Sequence, residues 1–188
     1  MTPGRAGLRP LRGMLRVARG RVDGLELFGA TPQAFLASLA PLVAFPLVGA
    51  ALMLTDQGAV RAATTLLFTV VAQLAPPVLS HAVARAWGRE AYWLRYATAF
   101  NWCQWALPLA AMALLIVLQL GLYAGLPEEV ADVVLLGGLA AYALWLNWLL
   151  ARYGLALSRW RAAGMVVVTT VGTLVLAVGP GVVKRLLD

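Results

Sequence analysis

The sequence predicts an all-α integral membrane protein, a bundle of five transmembrane helices. Hydrophobic residues make up 62% of the 188-residue chain and charged residues only 12%. A soluble domain, by contrast, is about 45–50% apolar and about 25% charged. The mean hydropathy of +0.81 points the same way. This composition excludes a solvated globular enzyme and a disordered chain, because so much apolar surface needs lipid as its solvent.

Five long stretches of the chain contain no charged residue. They are 27–55, 62–84, 96–127, 133–151 and 162–183. Crossing a hydrocarbon core about 30 Å thick takes roughly 20 helical residues, and backbone groups in lipid must pair within their own segment. We therefore expect transmembrane helices near 34–54, 62–84, 98–120, 132–151 and 162–179.

The fifth of these segments is the shortest. Gly179, Pro180 and Gly181 are expected to end its helix, because proline lacks the amide donor and glycine weakens helices. About seventeen residues then remain, at the short end of the spanning range. A re-entrant segment that enters and leaves on one side is the alternative.

Basic residues are concentrated on one side of this topology. An amino terminus inside the cell would place twelve of them in the cytoplasm, where lysine and arginine are retained. These are Arg5, Arg9, Arg12, Arg16, Arg19, Arg21, Arg85, Arg89, Arg95, Arg152, Arg159 and Arg161. Only Arg61, Lys184 and Arg185 fall outside. We therefore expect a cytoplasmic amino terminus and an external carboxyl terminus.

The tryptophans share this asymmetry. All seven fall in the cytoplasmic half of the topology, and tryptophan prefers the headgroup level of a bilayer. The expected interfacial anchors are Trp87, Trp93, Trp145, Trp148 and Trp160. The alternative is that these rings form a docking surface on the cytoplasmic face.

The first thirty residues differ in composition from the transmembrane domain, 31–188. Leu11, Leu15, Ala18 and Val22 recur at helical spacing, and arginines recur on another face. This pattern predicts a basic amphipathic segment that lies on anionic lipid. A positive flank that only sets topology and a mitochondrial transit peptide are the alternatives. Lys184 is the only lysine beside the arginines, which suggests a GC-rich bacterial coding bias and hence a multi-pass protein of a bacterial inner membrane.

Polar side chains from three predicted spans fall at a similar depth near the cytoplasmic side. Counted from the flanking arginines at 1.5 Å per residue, they are His81, Asn101, Gln104 and Asn147. The simplest arrangement pairs Asn101 or Gln104 with Asn147, which would hold spans three and four together. The alternative is a small polar pocket open to the cytoplasm, in which His81 responds to pH.

Other features of the spans are interpreted as packing. Gln73 and the threonines 169, 170 and 173 are expected to bond between helices or to the backbone. A stripe of small residues on span four predicts close helix contact; it comprises Ala140, Ala143, Asn147, Ala151 and Gly154. The prolines at 41, 46, 76 and 77 can kink the first two spans and free backbone carbonyls, and such prolines are ordinary packing features of membrane helices.

Catalysis has little support in this sequence. Every Asp and Glu lies outside the predicted spans or at a margin, so no paired carboxylates are expected within the membrane. One cysteine, Cys103, and one histidine, His81, leave no set of metal ligands, and there is no phosphate-binding loop. We therefore expect no enzyme, no cofactor and no nucleic-acid partner.

Two hypotheses for function follow. The first is a non-enzymatic inner-membrane protein that engages anionic lipid, a membrane-protein partner or a second copy of itself at the cytoplasmic face. The second is a small transporter or channel subunit that uses the polar layer between spans two, three and four. One-sided tryptophan and arginine content favours the first.

A short segment ahead of the spans resembles a family motif. Glu26-Leu27-Phe28-Gly29-Ala30 is similar to the acidic–Leu–Tyr–Gly–Pro motif of the Rab-interacting members of the Yip family, whose proteins have five spans and a cytoplasmic amino terminus. Ala30 stands where that motif has proline. The resemblance implies membrane organisation or partner recruitment, without catalysis.

Overall fold

The computed structural model describes the backbone of residues 8–187 and the side chains of 8–54 and 58–176. All regular elements in this part of the chain are helices. Helix α1 (Arg9–Ala18) is followed by a 3-10 helix (Val22–Leu27). The longer helices are α2 (Pro32–Gln57), α3 (Ala59–Ala86), α4 (Glu90–Cys103), α5 (Ala106–Tyr123), α6 (Glu128–Gly154) and α7 (Arg159–Leu187).

Four segments in the described part of the chain are long and apolar enough to cross a membrane. They are Pro32–Leu54, Ala59–Ala86, Glu90–Tyr123 and Glu128–Gly154. They coincide with the first four predicted spans and extend each of them, the third by eight residues at its start and the others by two to four residues at an end. The predicted all-α fold is confirmed, and these four segments are those expected of a multi-pass membrane protein.

The third predicted span is not one unbroken helix. Helix α4 ends at Cys103 and α5 begins at Ala106. Pro108 has no amide hydrogen for the carbonyl of Gln104, its partner in a regular helix. The Leu107 amide donates to that carbonyl instead, at 3.2 Å, which tightens the turn to a 3-10 spacing. The expectation of a single helix over 98–120 was wrong for this reason.

Other prolines leave their helices continuous. The predicted end of the fifth segment at 179 is wrong, since α7 continues through Pro180 to Leu187. Helix α2 contains Pro41 and Pro46, and α3 contains Pro76 and Pro77. A proline removes one helical hydrogen bond, and neighbouring helices in a membrane bundle can compensate for that loss.

Helices α2 and α3 form a tight hairpin. Gly58 is the only residue between them, and its φ of +82° lies in the left-handed region that favours glycine. A Cβ atom built on Gly58 would meet nothing within 4 Å. Backbone conformation, and not crowding, therefore requires glycine at this turn.

The densest part of the core lies at one end of the bundle. Here α1 and the 3-10 helix pack over α4 and α6. The buried residues include Met14, Val17, Leu25, Phe28, Tyr96, Leu150, Leu155 and Met165. Residues 9–28 thus share a core with the transmembrane helices. In α1 the side chains of Met14 and Val17 are buried, whereas Leu11 and Leu15, two members of the predicted apolar stripe, are exposed.

Close contact between α4 and α6 depends on small residues. Ala151 and Gly154 are buried, and a Cβ atom on Gly154 would lie 3.2 Å from Cδ2 of Tyr96. Ala140, at the other end of the predicted stripe, is exposed. Only the half of the stripe nearest the dense core therefore packs in the way that the sequence predicts.

Candidate functional site

A cavity of about 520 Å³ lies between α2, α3, α4, α6 and α7. This volume falls within the range of roughly 300–1,000 Å³ typical of small-molecule sites. Three of the four predicted polar-layer residues, Asn101, Gln104 and Asn147, line it. The remaining lining residues are Leu42, Ala72, Gln73, Pro76, Phe100, Thr169, Thr170, Thr173 and Leu174. The structure therefore places the three predicted amide side chains around the same cavity.

The amide of Asn101 is held in one orientation by a relay of hydrogen bonds. The hydroxyl of Ser38 donates to the carbonyl of Phe35 at 2.6 Å. Its single hydrogen is thus used, and its oxygen accepts from Nδ2 of Asn101 at 2.9 Å. The NH₂ group of Asn101 faces Ser38, so its Oδ1 is the atom left for another partner. The predicted bond to Asn147 is replaced by this bond to α2.

Three buried polar atoms on the cavity residues have no hydrogen-bond partner among the described residues. They are Oε1 of Gln73, Oδ1 of Asn101 and Oγ1 of Thr173. Two of the three are carbonyl oxygens, which only accept. Leaving such an atom buried and unpaired costs about 1–3 kcal/mol. Two cavity residues, Gln73 and Asn101, thus carry a buried carbonyl oxygen that lacks a donor.

The prolines of α3 add to this excess of acceptors. In a regular helix the carbonyls of Ala72 and Gln73 would accept from the amides of residues 76 and 77. Pro76 and Pro77 have no amide hydrogen to give. Two backbone carbonyls are therefore without their usual helical donors on the residues that line the cavity.

The cavity is uncharged. None of its lining residues is ionisable, and no three His, Cys, Asp or Glu side chains converge within the described part of the chain. Its polar atoms are the oxygens and nitrogens of amides and the oxygens of hydroxyl groups, which can pair with the hydrogen-bonding groups of a neutral molecule.

The fourth member of the predicted polar layer, His81, does not line this cavity. Its Nε2 atom lies 3.3 Å from Oε1 of Glu90, and its ring packs against Trp93 with centroids 4.6 Å apart. The neighbouring Ser80 accepts a hydrogen bond from Trp93 Nε1 at 3.1 Å and donates to the carbonyl of Pro77. Trp93 thus contacts both Ser80 and His81.

The sequence interpretation missed the deeper polar residues of the cavity. The sequence favours a packing role for Gln73 and Thr173, yet each lies at the middle of its helix and lines the cavity. Thr170 and Thr169 also line it, and the Thr169 hydroxyl donates to the backbone carbonyl of Met165 at 2.9 Å, which confirms its predicted backbone bond. The available signal was their position: a polar residue at the midpoint of a span is far from any water-exposed end.

A second region of interest is the arginine-rich end of the protein. We define it as α1, the 3-10 helix, the last turns of α3 and α6 and the first turns of α4 and α7. Helix α1 is fixed there by its inner face, and Tyr142 in α6 donates a hydrogen bond to the carbonyl of Ala18 at 3.0 Å. Its outer face exposes leucines beside arginines. These are Leu8, Leu11, Leu15, Arg9, Arg12, Arg16 and Arg19.

The five predicted tryptophan anchors lie in different environments. Trp160 is 88% exposed and Trp145 39% exposed. Trp148 donates from Nε1 to the carbonyl of Arg159 at 3.2 Å, and Trp87 lies below the guanidinium of Arg161, 5.9 Å from the ring centroid. Trp93 packs inside the bundle against Phe35 and His81. The exposed rings are thus two of the five.

A second cavity of about 450 Å³ lies at the arginine-rich end. It is bounded by the 3-10 helix, the start of α4 and the loop after α6. Its polar lining residues are Glu26, Tyr92, Arg95 and Tyr153. Unlike the cavity between α3 and α7, it carries charges of both signs.

The segment that resembles the Yip motif lies beside this second cavity. Glu26 and Ala30 line the cavity, and Phe28 is buried against Gly13, where an added Cβ would come 2.9 Å from the Phe28 ring. The segment therefore docks α1 onto the bundle. No family model, curated protein or solved structure matches this chain.

Proposed function

We propose that this chain is a non-enzymatic, multi-pass protein of a bacterial inner membrane that gathers anionic lipid at its arginine-rich end. In this proposal the arginine-rich end faces the cytoplasm, and the function is membrane organisation or recruitment, as the Yip-like segment suggests. The observation that carries the proposal is the outer face of α1, where exposed leucines lie next to exposed arginines.

The fixed position of α1 makes this face suitable for a membrane surface. Met14 and Val17 are buried in the core, so the helix does not need lipid in order to be held in place. Leu8, Leu11 and Leu15 can then enter the acyl boundary while the arginines remain at headgroup level. Partial burial of apolar side chains combined with attraction to anionic headgroups is how interfacial helices bind.

The length of α7 supports five crossings. The helix has 29 residues, about 43 Å at 1.5 Å per residue, which exceeds a hydrocarbon core about 30 Å thick. It begins at Arg159, at the arginine-rich end. A complete crossing would place the carboxyl terminus outside the cell and the amino-terminal helix inside.

Native mass spectrometry of the full chain in detergent tests the lipid proposal. Wild-type protein is titrated with phosphatidylglycerol and, separately, with zwitterionic phosphatidylcholine. A near-surface arginine contributes about 1 kcal/mol to binding of anionic membranes. The double variant Arg9→Gln/Arg12→Gln is therefore expected to bind phosphatidylglycerol roughly thirtyfold more weakly.

Arg61→Gln is the matched control, because Arg61 is an exposed arginine near the α2–α3 turn, away from α1. It should leave the phosphatidylglycerol titration unchanged. Equal binding of the two lipids by the wild type, or equal weakening by Arg61→Gln, would contradict the proposal. Preference for phosphatidylglycerol that is lost only in the α1 variant supports it.

A transporter or channel subunit is the second candidate, because the polar cavity reaches residues at the middle of α3 and α7. Stopped-flow light scattering of proteoliposomes measures this directly with glycerol and urea as neutral solutes. A transporter should give faster solute entry than protein-free vesicles show, and Asn147→Leu should then slow that entry. Permeability equal to that of protein-free vesicles would exclude these solutes as cargo.

A further inference from the structure

The cavity between α3 and α7 opens sideways, towards the surrounding lipid. Among its lining residues, Thr170 and Leu174 in α7 are exposed, Leu174 by 60%. Both lie near the middle of a helix that has 29 residues. If α7 crosses the membrane, as proposed above, the opening lies at the depth of the acyl chains and far from either aqueous surface.

Three oxygen atoms on the cavity residues have no hydrogen-bond partner among the described residues. Asn101 is fully buried at 0% exposure, and its amide orientation is fixed by Ser38, so the atom without a partner is a carbonyl oxygen. Gln73 contributes a second unpaired carbonyl oxygen, and Thr173 contributes a hydroxyl oxygen. A molecule that pairs with the two carbonyl oxygens supplies O–H or N–H groups.

The rest of the cavity wall is apolar. Leu42, Pro76, Phe100 and Leu174 line it beside the amides, and no ionisable side chain is present to balance a charge. A neutral molecule complements both parts of the wall when its polar part donates hydrogen bonds and its apolar part packs against these side chains.

We propose that this cavity binds a neutral, membrane-dissolved molecule with at least two hydroxyl donors, which enters from the bilayer beside Thr170 and Leu174. The hydroxyl groups donate to Oδ1 of Asn101 and Oε1 of Gln73. The apolar portion of the molecule extends past Leu174 towards the lipid. This inference rests on the fifth crossing by α7 and is independent of the arginine-rich end.

A pair of photoreactive probes that differ only in their donors tests the proposal. The first is decane-1,2-diol with a diazirine at the end of its chain, and the second is the corresponding 1,2-dimethyl ether. Each is irradiated with the full chain in lipid nanodiscs, and labelled peptides are mapped by mass spectrometry. We expect the diol to label peptides of α2, α3 and α7 at least fivefold more than the ether.

The variant Gln73→Leu removes one acceptor and should reduce diol labelling about fivefold, the effect of one hydrogen bond. Thr173→Val is a second, nearly isosteric variant, and it still tests the proposal if Gln73→Leu fails to fold. Gln119→Leu is the matched control, because Gln119 is an exposed glutamine in α5 that does not line the cavity.

Each outcome of the experiment bears on the proposal. Selective diol labelling that falls in Gln73→Leu or Thr173→Val but not in Gln119→Leu supports it. Equal labelling by diol and ether overturns it, as does labelling confined to other helices. Labelling at the wild-type level in both cavity variants would also overturn it, because labelling would then not depend on the polar atoms of Gln73 and Thr173. The phosphatidylglycerol titration is unaffected by any of these results, so the two proposals fail separately.

Discussion

Asn101 in α4 donates a hydrogen bond to Ser38 in α2 across 2.9 Å, and both side chains are buried, at 0% and 2% exposure. The bond joins residues 63 positions apart in the chain. It ties the hairpin of α2 and α3 to α4, and it directs the carbonyl of Asn101 away from Ser38. One contact therefore serves both the fold and the orientation of a cavity residue.

Replacing Ser38 with alanine should destabilise the protein. The buried NH₂ group of Asn101 would lose its acceptor, at a cost of about 1–3 kcal/mol, which thermal unfolding in detergent micelles can measure. Thr64→Ala is the control, because the exposed Thr64 hydroxyl donates only to the carbonyl of Val60 in its own helix. In the double variant Ser38→Ala/Asn101→Leu both polar partners are removed, so the loss should be smaller than for Ser38→Ala alone. A larger loss would contradict this account.

A methyl group at position 154 should separate α4 from α6. Its Cβ would lie 3.2 Å from Cδ2 and 3.3 Å from Cβ of Tyr96, which is itself buried. Gly154→Ala is therefore expected to lower the free energy of unfolding by about 1–3 kcal/mol, as overpacking does. Gly137→Ala, in the same helix, meets nothing within 4 Å and should be neutral or slightly stabilising, because alanine favours helix. Equal effects of the two variants on the melting temperature would disprove the close contact between Gly154 in α6 and Tyr96 in α4.

Loss of the Tyr142 hydroxyl should loosen α1. Tyr142→Phe removes the hydrogen bond to the carbonyl of Ala18, which is worth about 1 kcal/mol, and leaves the packing of the ring intact. Hydrogen–deuterium exchange of residues 9–18 should then be about fivefold faster, with the rest of the bundle unchanged. Tyr123→Phe, at a tyrosine that is 82% exposed, serves as the control. Unchanged exchange in α1 would show that burial of Met14 and Val17 alone fixes it.

The thiol of Cys103 should resist modification in the folded protein. Cys103 is 1% exposed in the core and does not line the cavity, and reaction with a maleimide needs access to the thiolate. Its neighbour Gln104 does line the cavity. In a Cys103→Ala background, Gln104→Cys should therefore react with N-ethylmaleimide at least tenfold faster than wild-type Cys103. The two rates are measured by mass spectrometry, and comparable rates would show that Gln104 does not face the cavity.

Much of the fold could be predicted from the position of charge. Charge-free runs located four segments that the structure shows to be long and apolar enough to cross a membrane, because the cost of burying charge in lipid is large and local to each segment. Helix ends were less predictable. The effect of Pro108 and that of Pro180 differ, although proline removes one donor in both places.

The site could be predicted only in part, for a geometric reason. Depth along each helix follows from sequence, and it brought Asn101, Gln104 and Asn147 to the same region. Which residues face each other depends on the rotation of each helix about its axis, which nearly uniform apolar spans do not specify. The roles of Ser38, Gln73 and Thr173 therefore emerge only from the packed structure.

The single-residue connection at Gly58 has a consequence for how the protein is made. Helices α2 and α3 are joined through Gly58 alone, so the polar residues that must cross the bilayer between them are few, chiefly Asp56, Gln57 and Arg61. Both helices can therefore enter the membrane together, as one unit released from the ribosome. A longer polar insertion after Gly58 would turn that joint entry into two successive steps.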